Sequence, residues 1–309
     1  MSEKQSVNQV LLKPGTLSTR VKEQTQHGLE CGALQSISTD YEFVEENGVN
    51  FLVRVLSNLV SKDEAKKKQD KAAKKGKDFN PFLPYEEDLF VADISPTHLC
   101  LLNKFNVVDN HLLIVTREFE EQESLLNWQD FQAMWACLAE IDGLVFYNGG
   151  KIAGASQRHK HLQLVPTPLA PNQKQSIPIA PIFASAVFNS DVGRVPDLPF
   201  VHGFCRFDAD LINSPNDAAQ ITLELYYKLL KAVDLLNEDT GNNSSIAYNF
   251  LATREWMFIV PRSQEHFESI SVNSLGFAGA LLVRNQQQMQ MLKDYKPMGI
   301  LKQVGVSYS

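Results

Sequence analysis

Two imidazoles and a carboxamide stand at every second position of His159-Lys160-His161-Leu162-Gln163. On a β-strand that period puts the three polar side chains on one face and the leucines on the other. Just before them runs Asn148-Gly149-Gly150-Lys151-Ile152-Ala153-Gly154-Ala155-Ser156-Gln157, a glycine-rich turn followed by small and hydrogen-bonding residues. Glycine lets backbone come close to a ligand and offers its N–H groups, which suits a phosphate. The middle imidazole, His161, can then attack phosphorus, because one ring nitrogen stays unprotonated near neutral pH. A bare His-x-His pair is more often structural, or half of a metal site. A metal normally takes further His, Cys or carboxylate ligands, and Gln163 is a poor third. Glutamine donates and accepts hydrogen bonds without titrating, so it can hold a phosphoryl group without helping water attack it.

The elements around this stretch read as a mixture of strands and helices. Residues 17–27 suit a short amphipathic helix, 41–44 and 51–56 are β-prone, and 46–48 form a turn. Residues 61–77, rich in lysine and alanine, offer no apolar face and read as a solvated loop, with a lid over a polyphosphate as the alternative. Asn80-Pro81-Phe82-Leu83-Pro84-Tyr85 closes that segment rigidly. Strands are expected at 89–94, 97–103 and 111–115. A helix over 124–141 follows, because Phe131, Met134, Trp135, Leu138 and Ile141 recur at helical steps. Seven prolines between 166 and 200 mark an irregular connection. A second helix over 216–237, a turn at 239–243, Tyr248-Asn249 and a strand ending Val260-Pro261 then echo the order of residues 128–166. Trp256, Met257 and Phe258 fill the positions of the polar row in that second copy. Residues 272–284 read as a polar turn leading into an apolar helix, which packs at the end of the chain or offers backbone amides to an anion.

Composition narrows the function classes. A hydrophobic content of 44% and a charged content of 21% are those of an ordinary soluble domain, and 309 residues suffice for one large domain or two. The net charge is −7; residues 62–78 carry eight lysines and four acids, so −11 belongs to the rest. An acidic body argues against general nucleic-acid binding. There is no signal-peptide pattern and no membrane-length apolar run. The four cysteines are far apart, which fits free thiols in a reducing compartment: the cytoplasm, with the nucleus also open to it.

The combination Asn148…Gly154-x-Ser156-Gln157-x-His159-x-His161-x-Gln163 resembles the signature of the histidine-triad superfamily. Glutamine in the third place is similar to the transferase branch, which holds galactose-1-phosphate uridylyltransferase and the diadenosine tetraphosphate phosphorylases (ATP adenylyltransferases). The resemblance to those phosphorylases covers nearly the whole chain and extends to 248–263 and 272–284. It implies an α+β, histidine-triad-like fold with a mostly antiparallel sheet from two related halves. The expected division is 1–168, a proline-rich connection at 169–199, and 200–309. It implies reversible adenylyl transfer through an adenylyl group on His161, with a backbone carbonyl near His159 holding the second ring N–H. Substrate would be held by Arg54, Asp93, Ile94, Asn148, Gly154, Ala155, Ser156, Gln157, Gln163, Asn273, Ser274, Leu275, Gly279 and Arg284. His159, Asn103 and Lys104 would support them. The expected partners are small nucleotides acting on a monomer, with no resident cofactor or protein-bound metal beyond a divalent cation such as magnesium carried by the polyphosphate. A dinucleoside polyphosphate hydrolase, a uridylyl or other nucleotidyltransferase, and a nucleotide sensor are the alternatives. Histidine normally occupies the place of Gln163 in the hydrolases.

Overall fold

The computed structural model describes residues 9–56, 80–171, 175–236 and 247–308. The lysine-rich run at 61–77 and the turn at 239–243 lie outside the described residues. Helix α1 (Leu17–Cys31) stops at Gly32, whose φ of 76° closes it in the left-handed conformation. The hairpin β1 (Thr39–Glu46) and β2 (Val49–Leu56) turns over Asn47-Gly48, both at positive φ, as a two-residue hairpin requires. Next come β3 (Phe90–Asp93), β4 (His98–Leu102) and β5 (Leu112–Thr116). Helix α2 (Trp128–Glu140) opens on Asn127, which caps the Asp130 N–H while Asp130 caps Asn127 in return. Strands β6 (Gly143–Gly149) and β7 (His161–Pro166) flank the glycine-rich turn.

The second half follows the same order: β8 (Val187–Asn189), β9 (Val192–Arg194), β10 (Gly203–Arg206), α3 (Pro215–Ala232), β11 (Tyr248–Ala252) and β12 (Trp256–Pro261). A small hairpin of β13 (His266–Phe267) and β14 (Ile270–Ser271) leads to α4 (Ser274–Phe277), β15 (Ala280–Val283), α5 (Gln286–Tyr295) and α6 (Pro297–Val304). Two readings of the sequence are corrected here. Residues 280–283 are a strand, not an apolar helix. Gly279, at φ 85°, ends the short helix, and β15 then pairs in parallel with β2. The connection at 169–199 is not wholly irregular either. Between Pro181 and Pro196 it has no proline, and there β8 and β9 add a hairpin to the sheet edge.

Among the described residues ten strands form one antiparallel sheet in the order β3-β4-β5-β7-β6-β11-β12-β10-β9-β8. This order is a palindrome: each half supplies five strands, and β6 pairs with β11 at the centre. Gly143 pairs with Pro166 in the first hairpin, and Tyr248 with Pro261 in the second. Matching the two prolines makes Phe146 equivalent to Leu251, and these two residues pair with each other on the pseudo-twofold axis. His161 then corresponds to Trp256 and Gln163 to Phe258, as the sequence echo suggested. The Tyr147-Asn148 and Tyr248-Asn249 dipeptides are not equivalent, because Asn148 faces Asn249 across the central pair.

One face of the sheet packs on α1, α2 and α3 around Phe131, Trp135, Leu162, Leu164, Tyr226 and Phe250. Over the other face, the three-stranded sheet β1-β2-β15 and helices α4 to α6 cover the centre and second half around Phe146, Phe204, Phe258 and Phe277. At the β4–β5 end that face carries a smaller cluster of Leu99, Leu101, Leu113 and Val115 with Phe82, and Tyr85 and Phe90 pack against it. No described helix is long and apolar enough to cross a membrane.

Candidate active site

Alternation on β7 decides which side chains meet. Lys160, Leu162 and Leu164 face the helices, and His161 and Gln163 face the opposite side. Lys160 is fully buried there, its Nζ 2.6 Å from Asp130 of α2 and 3.1 Å from Glu120, and it donates to the Leu125 carbonyl at 3.0 Å. His98 also reaches Asp130, at 3.1 Å. This ion pair pins the strand from behind, between the two histidines.

Cross-strand partners share a face, so the register lays out the front of the site in rows. His161 is followed by Val115, Leu99 and Asp93. Gln163 is followed by Leu113, Leu101 and Phe90. The next row holds His111 and Asn103 at the β4–β5 turn. An apolar floor therefore runs from His161 to Asp93 across three strand spacings, about 14 Å between backbones. The Phe82 ring stands 5.3 Å from His161 and 5.5 Å from His159.

His161 donates from Nδ1 to the His159 carbonyl at 2.8 Å, so its lone pair is on Nε2, which makes no hydrogen bond among the described residues. Burial holds the imidazole down at about 4, against the pull of that carbonyl, so the ring is neutral at neutral pH. His159 is fixed by its own partners. Its Nε2 donates to the Thr116 carbonyl at 2.7 Å, and Asn80 Nδ2 donates to its Nδ1 at 2.8 Å. Gln122 ties the two strands beside the glycine-rich turn: its Oε1 accepts from the His161 N–H, and its Nε2 donates to the Asn148 and His161 carbonyls.

The glycine-rich turn is held in place by the C-terminal half. Asn148 is buried, and its Oδ1 accepts from the Ser274 N–H, the Ser274 hydroxyl and Asn249 Nδ2 at 2.7–3.0 Å. Its Nδ2 takes part in none of these. Asn249 is itself oriented by the buried Arg262, which donates to its Oδ1 at 2.6 Å and to the Ala153 carbonyl at 3.3 Å. Gly154 sits at φ 92°, and a Cβ there would lie 2.9 Å from that of Asn273, so glycine is required twice over. Ala155 follows with its N–H bonded to the Gly150 carbonyl. The side chains of Ser156 and Gln157 make no hydrogen bond among the described residues.

A cavity of about 290 Å³ opens beside Gln163, lined among others by Arg54, Asn103, His111, Asn273, Leu275 and Arg284. Arg54 donates to Thr39 and to the Leu169 carbonyl; burial lowers its guanidinium from the ordinary value, with Asp109 and Tyr41 opposing. Of the residues expected at the site, six line this cavity: Arg54, Asn103, Gln163, Asn273, Leu275 and Arg284. Ile94 is fully buried with its carbonyl taken by the Leu11 and Leu12 N–H groups, Lys104 pairs with Glu86, and Gly279 packs on Pro178. Asp93 ends the floor in an ion pair with Arg117. Ser274 is spent inside the hydrogen-bond knot behind Asn148. Sequence reasoning did not single out Asn80, Phe82, His111, Gln122, Asn249 or Arg262 as parts of the site. A polarity clue existed for His111, which falls at the start of an otherwise apolar strand.

A buried neutral imidazole, a glycine-rich turn before it and a palindromic sheet are the features of a histidine-triad-like nucleotidyltransferase of duplicated type. The comparisons agree: residues 7–185 match the Ap4A phosphorylase N-terminal domain, and residues 196–307 match the ATP adenylyltransferase C-terminal domain. The chain belongs to the Ap4A phosphorylase family. It is 29% identical over 273 residues, 79% of each chain, to diadenosine 5',5'''-P1,P4-tetraphosphate phosphorylase 2 of Saccharomyces cerevisiae. To the protein APA1 of the same yeast it is 25% identical over 91% of each chain. The fold matches the crystal structure of yeast Ap4A phosphorylase Apa2 with a TM-score of 0.78 at 22% identity, covering 96% of this chain and 97% of that one. A structure of Apa2 in complex with Ap4A matches equally, over 96% of this chain and 100% of that one.

Proposed function

We propose that the protein catalyses the reversible phosphorolysis of diadenosine tetraphosphate to ATP and ADP, with His161 carrying the adenylyl group. The observation that carries this reading is the position of His161 Nε2. It is an unprotonated ring nitrogen with no hydrogen bond among the described residues. It heads the apolar row that ends at Asp93 and lies two residues along β7 from Gln163, which lines the cavity bearing Arg54 and Arg284. A substrate with a nucleoside at one end and a polyphosphate leading to a second nucleoside fits that two-sided arrangement.

Nε2 attacks the phosphorus next to one adenosine, the bond from that phosphorus to the bridging oxygen breaks, and ATP leaves. The ring gains positive charge as the N–P bond forms, and the Nδ1–H bond to the His159 carbonyl strengthens with it. An oxygen of inorganic phosphate then attacks the same phosphorus; the N–P bond breaks and ADP departs. Asn148 Nδ2, Ser156, Gln157 and the Gln163 amide supply donors where charge grows on the phosphoryl oxygens. Asp93 supplies an acceptor for ribose hydroxyls once Arg117 yields it. A divalent cation accompanying the polyphosphate is part of this reading.

The test is to incubate the protein with diadenosine tetraphosphate without phosphate and identify the modified residue by mass spectrometry. An adenylyl group on His161, released as ADP on adding phosphate, is expected, and His161→Asn should bind substrate and yield no adduct. Release as AMP regardless of phosphate would identify a hydrolase. Adduct on another residue would remove His161 from its role.

A further inference from the structure

A carboxamide is almost symmetric in shape but opposite in polarity at its two ends. If Gln163 meets the phosphoryl group with its NH2, it stabilises growing negative charge; with its oxygen, it repels that charge. Packing distinguishes the two orientations poorly, so something must break the tie. The hydrogen bonds that do so start from a backbone N–H, which can only donate. The Phe105 N–H donates to Asn103 Oδ1 at 3.3 Å, which leaves Asn103 Nδ2 as the donor toward His111 Nδ1 at 3.3 Å. With Nδ1 accepting, a neutral His111 carries its proton on Nε2, and that N–H meets Gln163 Oε1 at 3.0 Å. The Gln163 oxygen is thereby turned inward and its NH2 is left for the cavity.

We propose that His111 is a positioning residue for adenylyl transfer, holding the Gln163 carboxamide so that its NH2, and not its oxygen, meets the phosphoryl oxygens at His161. The ring is buried and packs against Phe146 with centroids 5.8 Å apart, so it has little freedom to swing away. Burial holds His111 at about 4, so it stays neutral and is not a proton donor to water or to a leaving group at working pH.

The duplicated half is an internal comparison. Leu112 pairs with Leu164, and Gly203 with Ile259, so His202 occupies the place of His111, while Phe258 occupies that of Gln163. With no amide to orient, His202 has the opposite tautomer. Its Nδ1 donates to the Phe200 carbonyl and its Nε2 accepts from the Val195 N–H, both at 2.8 Å. The fold therefore does not by itself dictate an Nε2–H at this position; the bonds from the Phe105 N–H through Asn103 do.

The proposal rests on the adenylyl-transfer reading, and its test separates the two. In the unmodified protein, long-range proton–nitrogen NMR reports the His111 tautomer directly; Nε2–H is expected, and Nδ1–H would overturn the proposal without any variant. Single-turnover adenylylation is then measured for wild type, His111→Phe, Gln163→Ala and the double variant, with His111→Leu as a second shape in case His111→Phe does not fold. His111→Phe should slow adenylylation at least tenfold with less than a threefold change in substrate affinity. In the Gln163→Ala background the same substitution should change the rate less than twofold. Equal losses in both backgrounds would make His111 a general structural residue and overturn the proposal, as would an unaltered rate in the single variant. Absence of any adenylyl group in wild type would instead strike the function reading.

Discussion

The nucleophilic role proposed for His161 needs a neutral imidazole that presents the right nitrogen, and a few neighbours of the ring set both conditions. Burial lowers His161, His111 and His202 to about 4, so each stays uncharged in the folded protein well below the ordinary histidine range. Two consequences can be measured. The rate of enzyme adenylylation should keep its plateau on lowering pH through 6 and fall only toward about 4; an acid limb near 6.5 would show an ordinary, solvated imidazole. Stability has the same sign. Between the unfolded value near 6.5 and the folded value near 4, the unfolded chain binds protons that the folded one refuses, so stability falls as pH falls through that window. The loss at pH 5 relative to pH 7 is about 2 kcal/mol per histidine. His202 lies away from the reacting atoms and isolates the effect: urea unfolding of His202→Gln should show a pH 7-to-5 loss about 2 kcal/mol smaller than wild type. Equal losses would mean that the His202 ring titrates normally.

Strand β7 and the turn before it work as one element, fixed from both faces. Behind it, Lys160 shares a fully buried ion pair with Asp130. Removing one partner of such a pair costs about 3–5 kcal/mol, because the remaining charge loses its compensation. Lys160→Met should therefore lower the denaturant midpoint sharply, while Arg158→Met, one turn of the alternation away and exposed, should leave it nearly unchanged. In front, Gly154 is pressed against Asn273 at a backbone conformation that disfavours a Cβ. Gly154→Ala should destabilise the protein by roughly 1 kcal/mol or more. It should also raise the Michaelis constant by moving Ser156 and Gln157. A variant with wild-type kinetics would show that the turn adjusts freely.

Across the molecule, the second half has apolar residues at the places of His161 and Gln163, yet it helps to hold the glycine-rich turn of the first half. Trp256 and Phe258 stand where the first half has His161 and Gln163, and they pack with Phe183 at 4.9 and 5.2 Å as core. In exchange this half provides Asn249, Arg262 and Ser274, which orient Asn148 and hold the glycine-rich turn. The central β6–β11 pairing joins the halves into one sheet. Residues 1–168 expressed alone would expose β6 as an open edge and leave the Phe146 face partly uncovered. That fragment should aggregate or lack dispersed NMR signals, and adding residues 169–309 should restore adenylylation only if the two refold together. A folded, active fragment would show that the first half is self-sufficient.

What the amino-acid order alone determined is local: the helical period of residues 131–138, the period of two from His159 to Gln163, the glycines before it, and hence the family and the residue proposed here as nucleophile. Those follow because spacing along one element dictates which side chains share a face. The echo of the two halves was also visible, through Val165-Pro166 and Val260-Pro261. Its true register was not, since the repeated Tyr-Asn pairs suggested an equivalence that the sheet denies. Nor could spacing reveal that His111 meets Gln163 across 52 residues, or that Asn249 meets Asn148 across 101. Those meetings depend on the hydrogen-bond register between strands distant in the chain, where a shift of one residue would turn every side chain to the opposite face. The strand 280–283 was misread for the same reason: its apolar residues suit helix or strand alike, and only the parallel partner β2 chose between them.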